Sequence, residues 1–285
     1  MSGCTATVLL PTTGDRGPLL RHSVASVLAQ TVADLELFVV GDGVSPGTRA
    51  VVEELATTDA RVRFVDLPKH HRRGEPHRHQ VLGERAGGRV VAYLCDRDLW
   101  LPTHLEELVG VLDGGADLAH TLRFDVTDTG GFRFRHVADL TDPTVRARHA
   151  SIPNLLPLSF VGHTLDAYRR LPHGWRTTPA GTATDRYMWA QFLDQPWTTV
   201  ASSPMPTVLY FKRGHHPGLS TPERLRLLEA WSPRATSIER AGGVERDVLT
   251  ALWQTWAELE VSERRRRSRP WRRAPRVLRA RLGGR

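Results

Sequence analysis

The sequence predicts an α/β fold, a mostly parallel twisted sheet flanked by helices, followed by a helical C-terminal region and a basic tail. Three observations predict it. Over the first 126 residues, short apolar runs alternate with segments of helical spacing, as in a parallel sheet covered on both faces. Three polar clusters, Thr12–Thr13–Gly14, Gly41–Asp42–Gly43 and Asp96–Arg97–Asp98, lie just past the ends of apolar runs, where open parallel sheets bind ligands. Beyond residue 217 the periodicity turns helical, and from Ser262 onward arginine dominates.

The elements follow in order. Thr5–Leu10 is a short apolar run closed by Pro11, a buried strand. Pro18–Gln30 spaces Leu19, Leu20, Val24, Val27 and Leu28 as a helix does. Leu35–Val40 is the second strand, ended by the Gly41–Asp42–Gly43 turn, and Gly47–Thr57 the next helix. Val62–Val65 is a strand ended by Pro68, residues 79–86 are weakly helical, and Arg89–Leu94 is the fourth strand. Pro102–Leu112 is a helix with proline at its first position, and Asp117–Val126 a fifth strand. Residues 127–183 are rich in Pro, Gly, Thr and His, with a short helix near Leu165–Leu171. A helix over Asp185–Leu193, a strand over Val208–Lys212 and two helices over Glu223–Glu260, broken near Ala241–Gly243, complete the body.

Composition excludes several classes. The chain has 285 residues, 40% hydrophobic and 25% charged, enough for one large α/β domain or two small ones. No apolar run approaches 18 residues, so no transmembrane helix is expected, and no secretory leader is expected from the first residues. Two cysteines, Cys4 and Cys95, make neither a disulfide framework nor a Cys-based zinc site, which fits a reducing cytoplasm. Residues 262–285 hold eleven Arg and one Glu, a net +10 against +8 for the whole chain. The remaining 261 residues therefore sum to −2, so a nucleic-acid-binding body is not expected.

Asp96 and Asp98 are the most informative pair. In an extended segment, residues two apart share a face about 6–7 Å apart, so both carboxylates would meet one site while Arg97 points away. Two carboxylates with an open coordination sphere suit Mg²⁺ or Mn²⁺ shared with substrate phosphates. The same pair also suits a turn or cap before Leu99–Trp100–Leu101–Pro102.

These blocks resemble the family 2 glycosyltransferases of the GT-A fold. TATVLLPTTGDRGPLLRHSVASVLAQT (5–31) is similar to that family's opening strand, Pro-Thr turn and helix ending in Ser-x-x-x-Gln-Thr. LELFVVGDGVS (35–45) resembles its second strand and Asp-Asp-Gly-Ser turn, with Gly41 and Val44 departing from the pattern. AGGRVVAYLCDRDLWLP (86–102) resembles its Ala-x-Gly, strand, Asp-x-Asp and following Pro, with Arg97 an unusual middle residue. The resemblance implies a hexosyltransferase that moves a sugar from a nucleotide-diphosphate donor to an acceptor hydroxyl, metal-dependent and inverting. It also implies roles. Thr12 lies near the nucleotide, Asp42 hydrogen-bonds the base, Asp96 faces the ribose or the metal, and Asp98 binds Mn²⁺ or Mg²⁺. Residues 1–126 would form the nucleotide-sugar-binding half, 127–217 the acceptor-binding half, 218–261 the C-terminal helices and 262–285 the tail.

Arg72–Arg78 lies where that family has a basic, Gly-containing stretch beside the nucleotide, and Arg73 or Arg78 suits the diphosphate. GTATDRYMWAQFL (181–193) looks like the segment whose acidic residue faces the donor sugar, which makes Asp185 the candidate general base. Asp185 equally suits the first turn of a helix. Trp175 fits a sugar platform or a core position. His163 is a candidate for the acceptor site, and His215 or His216 for a late metal ligand.

The tail interleaves its arginines with Trp271, Val277, Leu278 and Leu282. It suits peripheral attachment to an anionic membrane surface on the cytoplasmic side or a solvated terminus. Two other functions stay open. One is a sugar nucleotidyltransferase, for which Thr12–Arg16 is a poor phosphate loop. The other is a non-catalytic protein that binds anionic surfaces through the tail.

Overall fold

The structure, a computed structural model, describes residues 3–128, 130–133, 139–148, 155–211 and 216–268. His215, Lys212 and the arginines from Arg269 onward lie outside the described residues. The chain divides into two compact units, one ending at Val244 and one starting at Glu245.

The first unit opens with β1 (Ala6–Gly14), α1 (Gly17–Leu28), β2 (Leu35–Val44), α2 (Pro46–Thr58) and β3 (Val62–Leu67). It continues with α3 (Glu75–Glu84), β4 (Val90–Tyr93), β5 (Leu99–Trp100), α4 (His104–Asp113) and β6 (Leu118–Val126). Then come β7 (Phe132–Arg133), α5 (Pro143–Arg148), β8 (Val161–Thr164), α6 (Leu165–Arg170), α7 (Thr184–Leu193) and β9 (Val200–Tyr210). Helix α8 (Thr221–Ala235) follows, and α9 (Ile238–Ser268) runs on into the second unit.

The described strands form one nine-stranded sheet in the order β3-β2-β1-β4-β8-β6-β9-β5, with β7 on β6. Its first half is parallel: β2 pairs β1 and β3, and β1 pairs β4. Strand β8 joins β4 to β6 antiparallel, and β9 runs parallel to β6. Strands β1, β2 and β4 carry near-continuous apolar runs buried on both faces, so Val8, Leu9, Leu37, Phe38, Val91 and Ala92 are fully or almost fully buried.

Several expected boundaries shift for local reasons. Helix α3 begins at Glu75 rather than residue 79, because Gly74 takes a left-handed conformation (φ 64°) and Pro76 occupies the first turn. Strand β9 starts at Val200, well before Val208. Its Pro204 and Pro206 hide it in the sequence, and register shifts opposite His120 and Leu122 absorb them. The break between the last helices falls at Thr236, the C-cap of α8, not at Ala241–Gly243. The two glycines stay helical beside the fully buried Val244, although each costs about 1 kcal/mol relative to alanine.

The turn after β4 is clamped from both sides. On the α1 side, Trp100 N donates to Ser26 Oγ (3.2 Å) and Thr31 N donates to the Pro102 carbonyl (2.9 Å). Gln30 donates to the Leu101 carbonyl (2.9 Å) and accepts from Leu105 N (2.9 Å). On the other side, Ser159 accepts from Cys95 N (3.1 Å), and its carbonyl accepts from Trp100 Nε1 (2.7 Å).

Candidate functional site

A cavity of about 400 Å³ opens where β1, β2 and β4 end. Arg16, Lys69, Arg72, Arg73, Arg78 and Arg97 line it, against three carboxylates, Asp42, Asp96 and Asp185. A pocket with that excess of positive charge suits a polyanion. Because β1 and β2 pair in parallel, Thr12 lies opposite Gly41. The first two polar strand ends thus stand side by side, and β4 on the other flank of β1 delivers the third.

Thr12 and Asp96 line the cavity and touch each other. Thr12 Oγ1 donates to Asp96 Oδ2 (3.1 Å), and Arg16 Nη1 reaches both oxygens of the buried Asp96 carboxylate (2.8 and 3.1 Å). Arg16 is held in turn by its backbone N–H on Thr48 Oγ1 (2.9 Å). Asp42 also lines the cavity, with one oxygen accepting from Lys69 Nζ and the other from His70 N (2.6 Å). Gly74 stands against it: a Cβ there would lie 3.0 Å from Asp42 Cγ.

Asp98 takes a different place. Its carboxylate is fully buried, accepting from Ser159 Oγ (2.5 Å) and from Phe211 N (3.0 Å), and it is no part of the cavity wall. Burial pushes its carboxyl up, while Arg97 and these hydrogen bonds pull the other way. Residues 96–97 form a turn, closed by Asp98 N donating to the Cys95 carbonyl (3.1 Å). The two-residue repeat of an extended chain therefore fails here, and Arg97, not Asp98, faces the cavity beside Asp96.

Helix α7 supplies Asp185 in its first turn. Asp185 Oδ2 accepts from Leu158 N (3.2 Å). Burial raises its pKa above the ordinary carboxylate value, and Arg78 most strongly opposes the rise. Arg78 is itself buried, stacked 4.8 Å over Trp175, and donates to the Arg73 carbonyl (3.0 Å). Trp175 is a buried core residue, donating to Tyr93 Oη (2.9 Å), and it positions Arg78. Arg73 is exposed on the cavity rim, and its backbone N–H donates to Glu75 Oε2 (3.1 Å).

The candidate histidines His163 and His216 stand apart from the cavity. His163 is buried against Tyr93 Oη (2.6 Å), and burial lowers its pKa to about 4, so it is neutral at pH 7. His216 is buried and donates to the Val126 carbonyl (2.9 Å). Among the described residues, no group of three or more His, Cys, Asp or Glu side chains is placed to hold an ion. The bonds of Asp98 and Asp96 use the carboxylates expected to share one. The residues present therefore do not fit a divalent ion on that pair.

Arg16 and Lys69 are site residues that the sequence reading did not select. Their signal was weak: Arg16 follows the first strand's turn, and Lys69 follows Pro68 after the third.

Comparison with known proteins agrees with this arrangement. The pattern described as Glycosyl transferase family 2 matches residues 7–172, more than half of the chain. The UDP-Glc:alpha-D-GlcNAc-diphosphoundecaprenol beta-1,3-glucosyltransferase WfgD of Escherichia coli is 32% identical over 90 residues, which is 32% of this chain and 34% of that one. The chain thus spans about a third of that relative. Among solved structures, S. aureus TarS 1-349 superposes with a TM-score of 0.58 at 13% identity, covering 81% of this chain and 69% of that one. The mannosyltransferase PcManGT from Pyrobaculum calidifontis, in complex with GDP-Man and Mn²⁺, superposes with a TM-score of 0.54 at 17% identity, covering 91% and 84%. These likenesses agree with the GT-A expectation for the fold. With that fold, and with the match running from the first strand through the helix after β8, the chain belongs to glycosyl transferase family 2.

Proposed function

We propose that this glycosyltransferase moves a sugar from a nucleotide-diphosphate sugar to an acceptor hydroxyl by a single inverting displacement. One observation carries the reading: a half-buried carboxylate of raised pKa, Asp185, shares a cavity with five arginines at the ends of parallel strands. Asp185 takes the proton of the acceptor hydroxyl as its oxygen bonds to the anomeric carbon. The bond from that carbon to the β-phosphate oxygen breaks on the opposite face, and its electron pair leaves with the nucleoside diphosphate. Arg73 and Arg78 hold the diphosphate, and Thr12 and Asp96 face the ribose. Asp42, fixed by Lys69 and His70, faces the base. The names of the similar proteins include UDP-Glc, UDP-GlcNAc and GDP-Man, which supports the donor class and leaves the base open.

A second cleft adjoins the first, sharing Arg72, Arg73 and Thr184 and continuing along Thr178 and Thr182. We assign the acceptor to it. Membrane attachment is part of the proposal. Leu249, Leu252, Trp253, Trp256 and Leu259 are exposed at helical spacing along α9, and the arginine run from Arg264 follows them. No described helix is long and apolar enough to cross a membrane. A peripheral contact with the inner leaflet would bring the enzyme to a lipid-linked acceptor.

Product analysis tests the reading. Incubation with UDP- or GDP-sugars and a lipid-linked glycan acceptor is expected to release nucleoside diphosphate. Release of pyrophosphate from a nucleoside triphosphate and a sugar phosphate would instead identify a nucleotidyltransferase.

A further inference from the structure

We propose that Arg97 holds the donor's diphosphate together with Arg78 and Arg73, and that these guanidinium groups supply the positive charge expected of a divalent ion. The inference rests on the donor-site reading above and concerns how that site is charged.

Four observations support it. The 95–98 turn puts Arg97 on the cavity wall and buries Asp98 behind it. Both Asp98 oxygens are taken by Ser159 and Phe211, and Asp96 is bonded to Thr12 and Arg16. An arriving cation would therefore meet Arg97 rather than a free carboxylate. Next, Arg78 is 6% exposed and lines the cavity, and its Nε and Nη1 have no hydrogen-bond partner among the described residues. Arg97 Nε is likewise buried without a partner. Buried guanidinium donors rarely stay unpaired, and a planar fork matches two phosphate oxygens. Last, six cations face three carboxylates across the cavity. Arg16 and Lys69 neutralise Asp96 and Asp42, while Arg97 feels Asp98 and Asp96 only through space, and among the described residues neither it nor Arg72 or Arg73 makes an ion-pair contact. When the sugar–phosphate bond breaks, the charge on the β-phosphate oxygen grows. Fixed guanidinium groups aimed at that oxygen stabilise it without reorganising.

Calorimetric titration of the full-length protein with UDP, GDP, ADP and dTDP, in EDTA and again in Mn²⁺, tests the proposal. At least one nucleotide is expected to bind with the same affinity, within about twofold, in both conditions. Arg97→Gln is expected to weaken that nucleoside diphosphate about ten- to a hundredfold, while the matching monophosphate, lacking a β-phosphate, shifts less than about threefold. Arg97→Lys, which keeps the charge without the fork, should fall between. The monophosphate arm and a thermal melt separate loss of a contact from loss of the fold, and the EDTA arm needs no variant. Binding that requires Mn²⁺, or EDTA-resistant binding indifferent to Arg97→Gln, overturns the inference and leaves the donor site standing. Binding of none of the four in either condition overturns the donor site as well.

Discussion

Asp98 is fully buried and Asp185 half-buried, and we assign them different work. Asp185 lines the cavity, and desolvation raises its pKa. A general base acts only as the carboxylate, so transfer should fall as the pH drops through that raised value, with the acid limb above the ordinary carboxylate range. Arg78 pulls the value down, so Arg78→Gln should move the limb to higher pH besides weakening the donor. Asp185→Asn should bind nucleotide normally and transfer about 10²–10⁴-fold more slowly; an unchanged single-turnover rate would remove it from the mechanism. Asp98 holds the site's frame. Asp98→Ala leaves Ser159 and the Phe211 N–H without their partner in the core, and should cost roughly 1–3 kcal/mol in chemical denaturation. The sequence brought Thr12, Asp42 and Asp96 to one cavity, because parallel strands deliver their carboxyl ends to one edge, and the family resemblance alone added Asp185, which lines the same cavity from α7. It misplaced Arg97, because alternation assumes an extended chain and the 95–98 segment is a turn.

Element by element, legibility follows periodicity. The β1–β4 half, with its uninterrupted apolar strands, reads clearly. Strand β9 carries two prolines, and β5, β7 and β8 are four residues or shorter, so neither shows a period in the sequence. Helix α3 illustrates how a short element positions chemistry. Its weak amphipathicity hid its start, yet Gly74 at its N-cap brings Lys69–Arg73 against Asp42, and Arg78 in its second turn reaches Trp175. Gly74→Ala combines a left-handed backbone with a Cβ 3.0 Å from Asp42. It should cost about 1–2 kcal/mol and weaken nucleotide binding more than inorganic pyrophosphate binding, since Asp42 is assigned to the base. Equal loss for both ligands would argue that the helix, not Asp42, had moved.

For the whole molecule, charge is divided between a mildly acidic body and a tail of eleven arginines. Each arginine near an anionic membrane contributes about 1 kcal/mol. Deleting residues 262–285, which leaves the apolar face of α9 in place, should therefore strongly weaken sedimentation with phosphatidylglycerol vesicles and leave nucleotide binding by the body unchanged. Loss of nucleotide binding would place the tail in the site. In the proposed reading, the body's own task depends on one cavity whose arginines receive a diphosphate and whose Asp185 carboxylate receives a proton. A crystal structure of the full chain with UDP or GDP tests that most directly. The diphosphate should lie among Arg73, Arg78 and Arg97, with the Asp185 carboxylate open toward the second cleft. A nucleotide bound elsewhere, or a diphosphate turned away from these arginines, would contradict the account.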